Sequence, residues 1–254
     1  MRATNEIKAV ITGGASGLGY ATAKSIVEAG GKVTLLNLHK EAGESAQASL
    51  GTNALFVETD VGSEEQVDNA IAQACEHSGE INLVVNCAGI APSKRVLGRD
   101  GLMPISDFES VISTNLNGTF TVIRAAVNKM QNNSPDADDQ RGVIVNTASI
   151  AAFDGLIGQA AYSASKGGIS SMTLPLAREF ARIGIRVMCI APGLFRTPMF
   201  DTLPEKAVTA LESATPFPSR LGNPDEFAAM VCHIYQNTML NGETIRLDGA
   251  LRMN

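Results

Sequence analysis

The sequence is poor in residues arranged to bind a structural metal. Its four cysteines form no Cys-x-x-Cys pair, and none of its three histidines stands at ligand spacing from a cysteine. Zinc sites need such spacing, so we expect no metal site. The cysteines are then expected to be free thiols in a reducing cytosol. They are Cys75, Cys87, Cys189 and Cys232.

Long apolar runs and excess positive charge are also missing. No run approaches the roughly 18 residues that suggest a membrane span, and the first strand pattern already begins at Ile7, which argues against a signal peptide. Acidic residues outnumber basic ones by 26 to 20, for a formal charge of −6. We therefore expect no membrane or nucleic-acid partner, and a cytoplasmic protein or one from which a mitochondrial presequence has been removed.

What the sequence does contain is a regular alternation of apolar runs and helical stretches. The runs are rich in Val, Ile and Leu, as are strands buried on both faces; they cover 7–12, 32–37, 54–58, 82–86, 142–149, 185–190 and 244–247. Helices are predicted near 17–29, 40–49, 63–78, 106–130, 161–182 and 224–236. This alternation predicts one α/β domain over 1–254, with a Rossmann-type doubly wound, parallel seven-stranded sheet and helices on both faces.

Two irregular segments interrupt this pattern. One covers 91–104, and the other covers 195–224 and contains five prolines. Each follows a predicted strand, so each should project from the carboxyl edge of the sheet, where open α/β sheets bind ligands. We therefore expect 91–104 to be a substrate loop and 195–224 to be a lid.

A glycine-rich loop follows the first predicted strand in "VITGGASGLGYATA", residues 10–23. Gly13, Gly17 and Gly19 allow a tight turn and let main-chain N–H groups approach a pyrophosphate at a helix N-terminus. Ser16 can add a hydroxyl donor, and Leu18 lies within the same turn. The alternative is a tight turn without a ligand, but the position after the first strand favours dinucleotide binding.

The ends of the next strands offer further cofactor contacts. Asn37 ends the second strand, where an acid would usually bind the adenosine ribose; neither Leu38 nor the glycine loop supplies a cation for a 2′-phosphate, which favours NAD over NADP. Asp60 and Val61 follow the third strand and could contact adenine, although Asp60 could instead cap a helix. The fourth strand ends in small residues that would let the backbone pass close to the cofactor: Asn86, Cys87, Ala88 and Gly89. Cys87 has no identifiable base beside it and is expected to pack rather than react.

One of only three tyrosines precedes a lysine by four residues in "QAAYSASKGG". On a helix, Tyr162 and Lys166 would share one face. The pair could be a tyrosine that packs beside a lysine stem, or it could be an acid–base pair. The spacing alone does not separate these interpretations.

Taken together, the motifs resemble the classical short-chain dehydrogenase/reductase family over essentially the whole chain. They occur in the order "TGGASGLG", "NCAG", "STNLNGT", "NTAS", "YSASK" and "APGLFRTP". Several stretches, such as "GQAAYSASKGGI" and "NGETIRLDGALRM", are most similar to the type-2 3-hydroxyacyl-CoA dehydrogenases of that family. The resemblance implies an NAD-dependent enzyme that oxidises short-chain, possibly 2-methyl-branched, 3-hydroxyacyl-CoA thioesters, and it implies a homotetramer.

The resemblance also assigns roles to residues. Asn115, Ser149, Tyr162 and Lys166 form the implied catalytic set. A free phenol has a pKa near 10 and is a poor base, but the Lys166 cation favours the phenolate, which would take the substrate hydroxyl proton while Ser149 steadies the substrate oxygen. Lys166 and Tyr162 also border the cofactor, Asn115 is expected to hold a water that relays the proton, and the nicotinamide end is expected to meet Pro192, Phe195 and Thr197.

Three cations in the first irregular segment are candidates for coenzyme A phosphates. They are Lys94, Arg95 and Arg99, although a solvated loop would look the same. Two other functions also remain open at this point. One is a hydroxysteroid or other secondary-alcohol dehydrogenase that uses the same residues, and the other is a dinucleotide-binding scaffold without catalysis.

Overall fold

A computed structural model describes residues 3–99, 101–198 and 205–253. Seven parallel strands form its main sheet: β1 Lys8–Thr12, β2 Lys32–Asn37, β3 Ala54–Glu58, β4 Leu83–Asn86, β7 Gly142–Thr147, β8 Ile185–Pro192 and β9 Thr244–Leu247. Their order across the sheet is β3-β2-β1-β4-β7-β8-β9. The predicted fold is confirmed, and strand boundaries differ from the prediction by at most two residues.

Residue 100 of the expected substrate loop and residues 199–204 of the expected lid lie outside the described residues. The loop carries two short antiparallel strands that the sequence pattern did not indicate, β5 Leu97–Gly98 and β6 Gly101–Leu102. The lid contains a helix, which the prediction missed because the segment was judged by its five prolines. All five lie before or after the helix and none within it.

Eight α-helices are found in the described part of the chain. They are α1 Gly17–Glu28, α2 Lys40–Leu50, α3 Glu64–Ser78, α4 Ile105–Ile112, α5 Gly118–Met130, α6 Ala160–Phe180, α7 Glu205–Ala214 and α8 Pro224–Gln236. The predicted helix over 106–130 is not continuous, because a π-helical turn at Ser113–Asn117 separates α4 from α5. Such turns are uncommon and often lie at functional sites.

The sheet is buried on both faces, which explains why its strands are apolar without strict alternation. Successive residues of β1 pack on opposite sides: Val10 belongs to the core beneath α3, α5 and α6, and Ile11 to the core beneath α1 and α8. The strand order reverses between β1 and β4, which pair directly. The crevice above the carboxyl ends of these two strands is the expected ligand position for such a sheet.

Candidate active site

The glycine loop has the backbone geometry that its sequence predicts. Gly13 and Gly17 have φ angles of +63° and +53°, a region that favours glycine. A Cβ on Gly19 would overlap the main-chain oxygen of Gly13. Ser16 precedes α1 without a side-chain capping bond in the described structure, and the first turn has no acidic residue. The N–H groups at this helix end are therefore placed to bind an anion.

Neighbouring segments converge on this loop. The hydroxyl of Thr12 accepts hydrogen bonds from the main-chain N–H groups of Cys87 (3.1 Å) and Ala88 (3.0 Å). On the other side, a Cβ on Gly17 would lie 3.3 Å from the methyl group of Thr197. The structure thus brings together three segments that the sequence predicted separately. Thr12 was missed, since a threonine at the end of a strand gives no distinctive signal.

The expected adenosine end is more open. The amide nitrogen of Asn37 donates to the carbonyl of His39 at 3.3 Å, and the side chain of Leu38 is 58 % exposed. The carboxylate of Asp60 accepts from the Gly62 N–H at 2.8 Å. Asp60 does not cap α3, whose N-cap is Ser63, so its exposed carboxylate stays a candidate for adenine.

Two other candidates from this end of the cofactor region are buried. Val61 packs against the first residue of α5, since a Cβ on Gly118 would lie 2.6 Å from its methyl group. Asn86 pairs across the sheet with Asn146, its amide nitrogen donating at 2.9 Å. In the structure, both side chains hold neighbouring elements of the fold together.

Cys87 lies between the glycine loop and β7. Its thiol is 3.4 Å from the hydroxyl of Thr147. Burial raises its pKa to about 11, although Thr147 and Lys166 lower it slightly. The thiol is therefore protonated at neutral pH, which agrees with a packing role rather than a nucleophilic one.

Tyr162 and Lys166 share one face of α6, as their spacing predicts. The Lys166 ammonium lies 5.8 Å from the centre of the Tyr162 ring. It is buried and donates to the main-chain oxygen of Thr147 at 2.7 Å. Two residues further on, Ser149 begins a short 3₁₀ turn, and its hydroxyl oxygen accepts from the Ala151 N–H at 3.1 Å. The proton of that hydroxyl is therefore left to donate outward.

Asn115 sits in the π-helical turn and is fully buried. Its oxygen accepts from the Ile90 N–H at 2.8 Å, and its nitrogen donates to the Ile90 carbonyl at 2.9 Å and to the Ser165 hydroxyl at 3.0 Å. The Ser165 hydroxyl in turn donates to the carbonyl of Tyr162 at 2.7 Å. Both amide hydrogens of Asn115 are thus used within the protein, joining the chain after β4 to α6. Ser165 was missed, because its partner is 50 residues away in sequence.

The remaining predicted cofactor residues lie around this centre, and at Gly89 there is no room for a side chain without a shift of its neighbours. A Cβ on Gly89 would lie 3.0 Å from the Asn115 oxygen and 3.7 Å from the Lys166 nitrogen. Leu18 is half-buried behind the glycine loop. Pro192 ends β8, and Phe195 is buried and pairs with Gly222 as an isolated bridge. The predicted cofactor residues therefore line the carboxyl edge, with the exceptions described above.

The expected substrate loop is tied to this edge at two points. The Lys94 N–H donates to the carbonyl of Gly158 at 2.9 Å, four residues before Tyr162. The Lys94 ammonium is paired with the carboxylate of Asp107, so this one of the three phosphate candidates already has an ionic partner. Arg95 and Arg99 are exposed and have no ion-pair partner among the described residues.

Residues 3–99, 101–198 and 205–253 contain neither a cluster of metal ligands nor a membrane-spanning helix. No three His, Cys, Asp or Glu side chains there group closely enough to hold a metal ion. None of the helices described is both long and apolar enough to cross a membrane.

Comparisons with known proteins agree with this geometry. The family model described as short chain dehydrogenase matches residues 8–207. The 3-hydroxyacyl-CoA dehydrogenase type-2 of Homo sapiens is 53 % identical over 254 residues, covering 99 % of this chain and 97 % of that protein. Its counterpart from Drosophila melanogaster is 50 % identical over 246 residues, covering 96 % of each.

A solved structure has nearly the same fold as this chain. The 3-hydroxyacyl-CoA dehydrogenase type-2 from Mycobacterium avium matches with a TM-score of 0.95 and 37 % identity, covering 100 % of this chain and 99 % of that one. The family match, the full-length relatives and the arrangement of Ser149, Tyr162 and Lys166 agree. This chain belongs to the short-chain dehydrogenase family.

Proposed function

We propose that the protein is an NAD-dependent 3-hydroxyacyl-CoA dehydrogenase. The observation that carries this proposal is the hydrogen bond from Lys166 to Thr147, which fixes an ammonium beside Tyr162 and close in sequence to Ser149. The substrate class comes from the names of the relatives that are about half identical over nearly their whole length.

The residues at the carboxyl edge fit a dinucleotide. The uncapped N-terminus of α1 and the glycine turn offer N–H groups to a pyrophosphate. Asn37 and the exposed Leu38 offer no positive charge to a 2′-phosphate, and Lys40 is in an i,i+4 pair with Glu44 at 3.9 Å. This chemistry favours NAD. When bound, its nicotinamide ring would supply the carbon that accepts the hydride.

The side chains of the protein would remove the proton of the substrate hydroxyl and stabilise the charges that this creates. The phenolate oxygen of Tyr162 takes the proton from the substrate hydroxyl, as a general base. The Lys166 ammonium stabilises the negative charge on that oxygen, and its burial strengthens the interaction because little water screens it. Ser149 donates a hydrogen bond to the substrate oxygen as it becomes a carbonyl.

Asn115 has a positioning role in this scheme. Its amide hydrogens are used by Ile90 and Ser165, so its side chain sets the distance between the chain after β4 and helix α6. A relay water, as the family resemblance suggests for this position, would therefore be held by other atoms than the amide hydrogens.

Other features support the expected substrate, assembly and location. Arg95 and Arg99 are exposed cations on the substrate loop, suited to coenzyme A phosphates. Large apolar side chains are exposed on α5 and α6, at Phe120 (49 %) and Leu174 (44 %), as expected for a homotetramer. The four cysteines are unpaired, which suits the cytoplasm.

Steady-state kinetics of the wild-type protein and the Tyr162→Phe variant test the function. The panel is acetoacetyl-CoA, 2-methylacetoacetyl-CoA and a ketosteroid, each with NADH and with NADPH. We expect turnover of the thioesters with NADH, a loss of about 10²–10⁴-fold in kcat for Tyr162→Phe, and unchanged NADH binding. Preference for the ketosteroid or NADPH would contradict the substrate or cofactor, and NADH binding without any turnover would support a scaffold.

A further inference from the structure

The segment between the two reacting side chains has little regular structure of its own. We call residues 153–159 the connecting loop, because it joins the 3₁₀ turn after Ser149 to the helix that carries Tyr162. The exposed fraction of Ile157 is 79 %. Since the loop lies directly beside both reacting groups, its position must be set by contacts with other elements.

Arg246 of β9 makes the most extensive of these contacts. Its guanidinium lies 5.3 Å from the centre of the Phe153 ring. It also donates to both carboxylate oxygens of Asp154, at 3.3 and 2.5 Å. The side chains of Arg246 and Asp154 are only 21 % and 17 % exposed. A planar guanidinium that binds both oxygens of a carboxylate fixes its partner in position and orientation, which an ammonium cannot do.

The same guanidinium organises the C-terminal segment. Its Nε donates to Asp248, whose side chain is 6 % exposed, at 2.7 Å. A further N–H donates to the carbonyl of Leu251 at 2.9 Å. Arg252 pairs with the same Asp248 oxygen at 3.1 Å. Two cations and two carboxylates thus balance in one cluster, with Arg246 at its centre.

This segment also contacts residues 215–217 of the expected lid, which we call the lid base. The Phe217 N–H donates to the carbonyl of Gly249 at 3.2 Å. A Cβ on Gly249 would lie 2.6 Å from the methyl group of Thr215. The lid base therefore packs against Gly249, which follows Asp248 in the sequence. Asp248 in turn forms an ion pair with Arg246.

We propose that Arg246 is a positioning residue for the dehydrogenase reaction. Through Phe153 and Asp154 it holds the connecting loop, and through Asp248 and Gly249 it holds the base of the lid against the same C-terminal segment. Loop and lid base then keep a fixed spacing around the substrate. The inference rests on the proposed function only in that Tyr162 and Ser149 are the reacting groups.

The test compares Arg246→Met, Arg246→Lys and Asp154→Asn with wild type. We expect Arg246→Met to raise KM for the substrate about tenfold, since small misplacements around a site are costly, with less than a twofold change in the dissociation constant of NADH. Arg246→Lys should be intermediate. The double variant Arg246→Met with Asp154→Asn should be no worse than Arg246→Met alone, because both changes break one interaction.

Arg124→Met is the matched control. Arg124 also pairs with carboxylates, at 2.7 Å from Glu64 and 3.5 Å from Asp68, but on the outer side of α3 and α5. It should leave KM unchanged. The melting temperature and the size-exclusion elution volume of each variant show whether it is folded and assembled like the wild type. A raised KM in a variant that passes both controls reflects positioning rather than a general loss of structure.

A second pair of variants displaces the connecting loop without touching Arg246. A Cβ on Gly155 would overlap the hydroxyl oxygen of Ser163, which is buried and has no hydrogen-bond partner in the described part of the chain. Gly155→Ala should therefore raise KM as Arg246→Met does. Adding Ser163→Ala removes the overlap with the hydroxyl oxygen and should lower KM toward the wild-type value, since the remaining neighbours, the Cβ of residue 163 and the Ala151 oxygen, lie at 3.2 and 3.3 Å.

Unchanged KM in a folded Arg246→Met protein would overturn the proposal, as would additive effects in the double variant or an equal loss of NADH affinity. All ratios are measured on whichever alcohol or ketone the wild-type protein turns over. A wrong substrate class is therefore visible in the wild-type protein, whereas a wrong role for Arg246 is visible only in the ratio of variant to wild type.

Discussion

The ammonium of Lys166 donates a 2.7 Å hydrogen bond to the main-chain oxygen of Thr147. This bond joins helix α6 to the end of strand β7, and its two residues are 19 positions apart in sequence. It holds a buried charge 5.8 Å from the Tyr162 ring centre. A cation held in place costs no reorganisation when negative charge develops on the neighbouring oxygen.

Removing this cation should abolish most of the turnover. We expect Lys166→Met, which keeps an apolar stem, to lower kcat by about 10²–10⁴-fold, the usual contribution of acid–base machinery. Stopped-flow and steady-state assays give the effect on kcat, and a melting curve shows whether the variant is folded. A folded Lys166→Met protein with near wild-type kcat would show that the cation does not assist Tyr162.

The glycine turn gives a prediction for cofactor affinity. We expect Gly19→Ala to weaken NADH binding by at least about tenfold, because the new Cβ would overlap the Gly13 carbonyl and shift the N-terminus of α1. Gly98→Ala is the control, since its Cβ would meet nothing closer than the Gly101 oxygen at 3.7 Å. Fluorescence titration measures both, and equal affinities would remove the turn from the dinucleotide site.

The substrate loop predicts a selective effect on coenzyme A thioesters. We expect the double variant Arg95→Ala with Arg99→Ala to raise KM for acetoacetyl-CoA by about tenfold through the loss of charge-assisted bonds to phosphate. The N-acetylcysteamine thioester, which has no phosphates, should show little change.

Lys94→Ala serves as a contrast within the same loop. It breaks the pair with Asp107 that tethers the loop, so it should affect both thioesters. If the arginine variants also affected both equally, phosphate recognition would be refuted.

The ion pair between Arg220 and Glu226, near the start of α8, predicts a pH-dependent contribution to stability. Arg220 donates to both oxygens of Glu226, at 2.8 and 2.7 Å, and this bond, with that from the Asn223 N–H, lowers the pKa of Glu226 from its ordinary 4.5 to about 2. A pKa lowered by folding stabilises the folded state above the ordinary pKa, and the stabilisation is lost as pH falls through the folded pKa.

Glu226→Gln keeps the side-chain acceptor for the Asn223 N–H but removes the charge. We therefore expect a lower melting temperature than wild type above about pH 5, with a difference that shrinks between pH 4.5 and pH 2. Calorimetry across this range measures it. A difference independent of pH would show that the ion pair does not contribute.

Much of the molecule is readable from the sequence because the signals are local. The central strands β4, β7 and β8 are buried along their whole length, which is why they read as apolar runs in the sequence. The glycine turn and the Tyr162–Lys166 spacing each lie within a few residues. The π-helical turn around Asn115 was not predicted, because "STNLN" continues a helical pattern and the interruption comes from bonds to Ile90 and Ser165.

The order of the seven main strands and the residue types at the carboxyl edge can be read from the sequence, since periodicity and turn chemistry act over short distances. Three pairings are visible only in the folded molecule: Lys94 with Asp107, Ser165 with Asn115, and Arg246 with Asp154, which is 92 residues away in sequence. Such pairings depend on which side chains the packed elements bring within hydrogen-bonding distance. Residue type shows that a charge needs a partner when it is buried, but only the packing selects that partner.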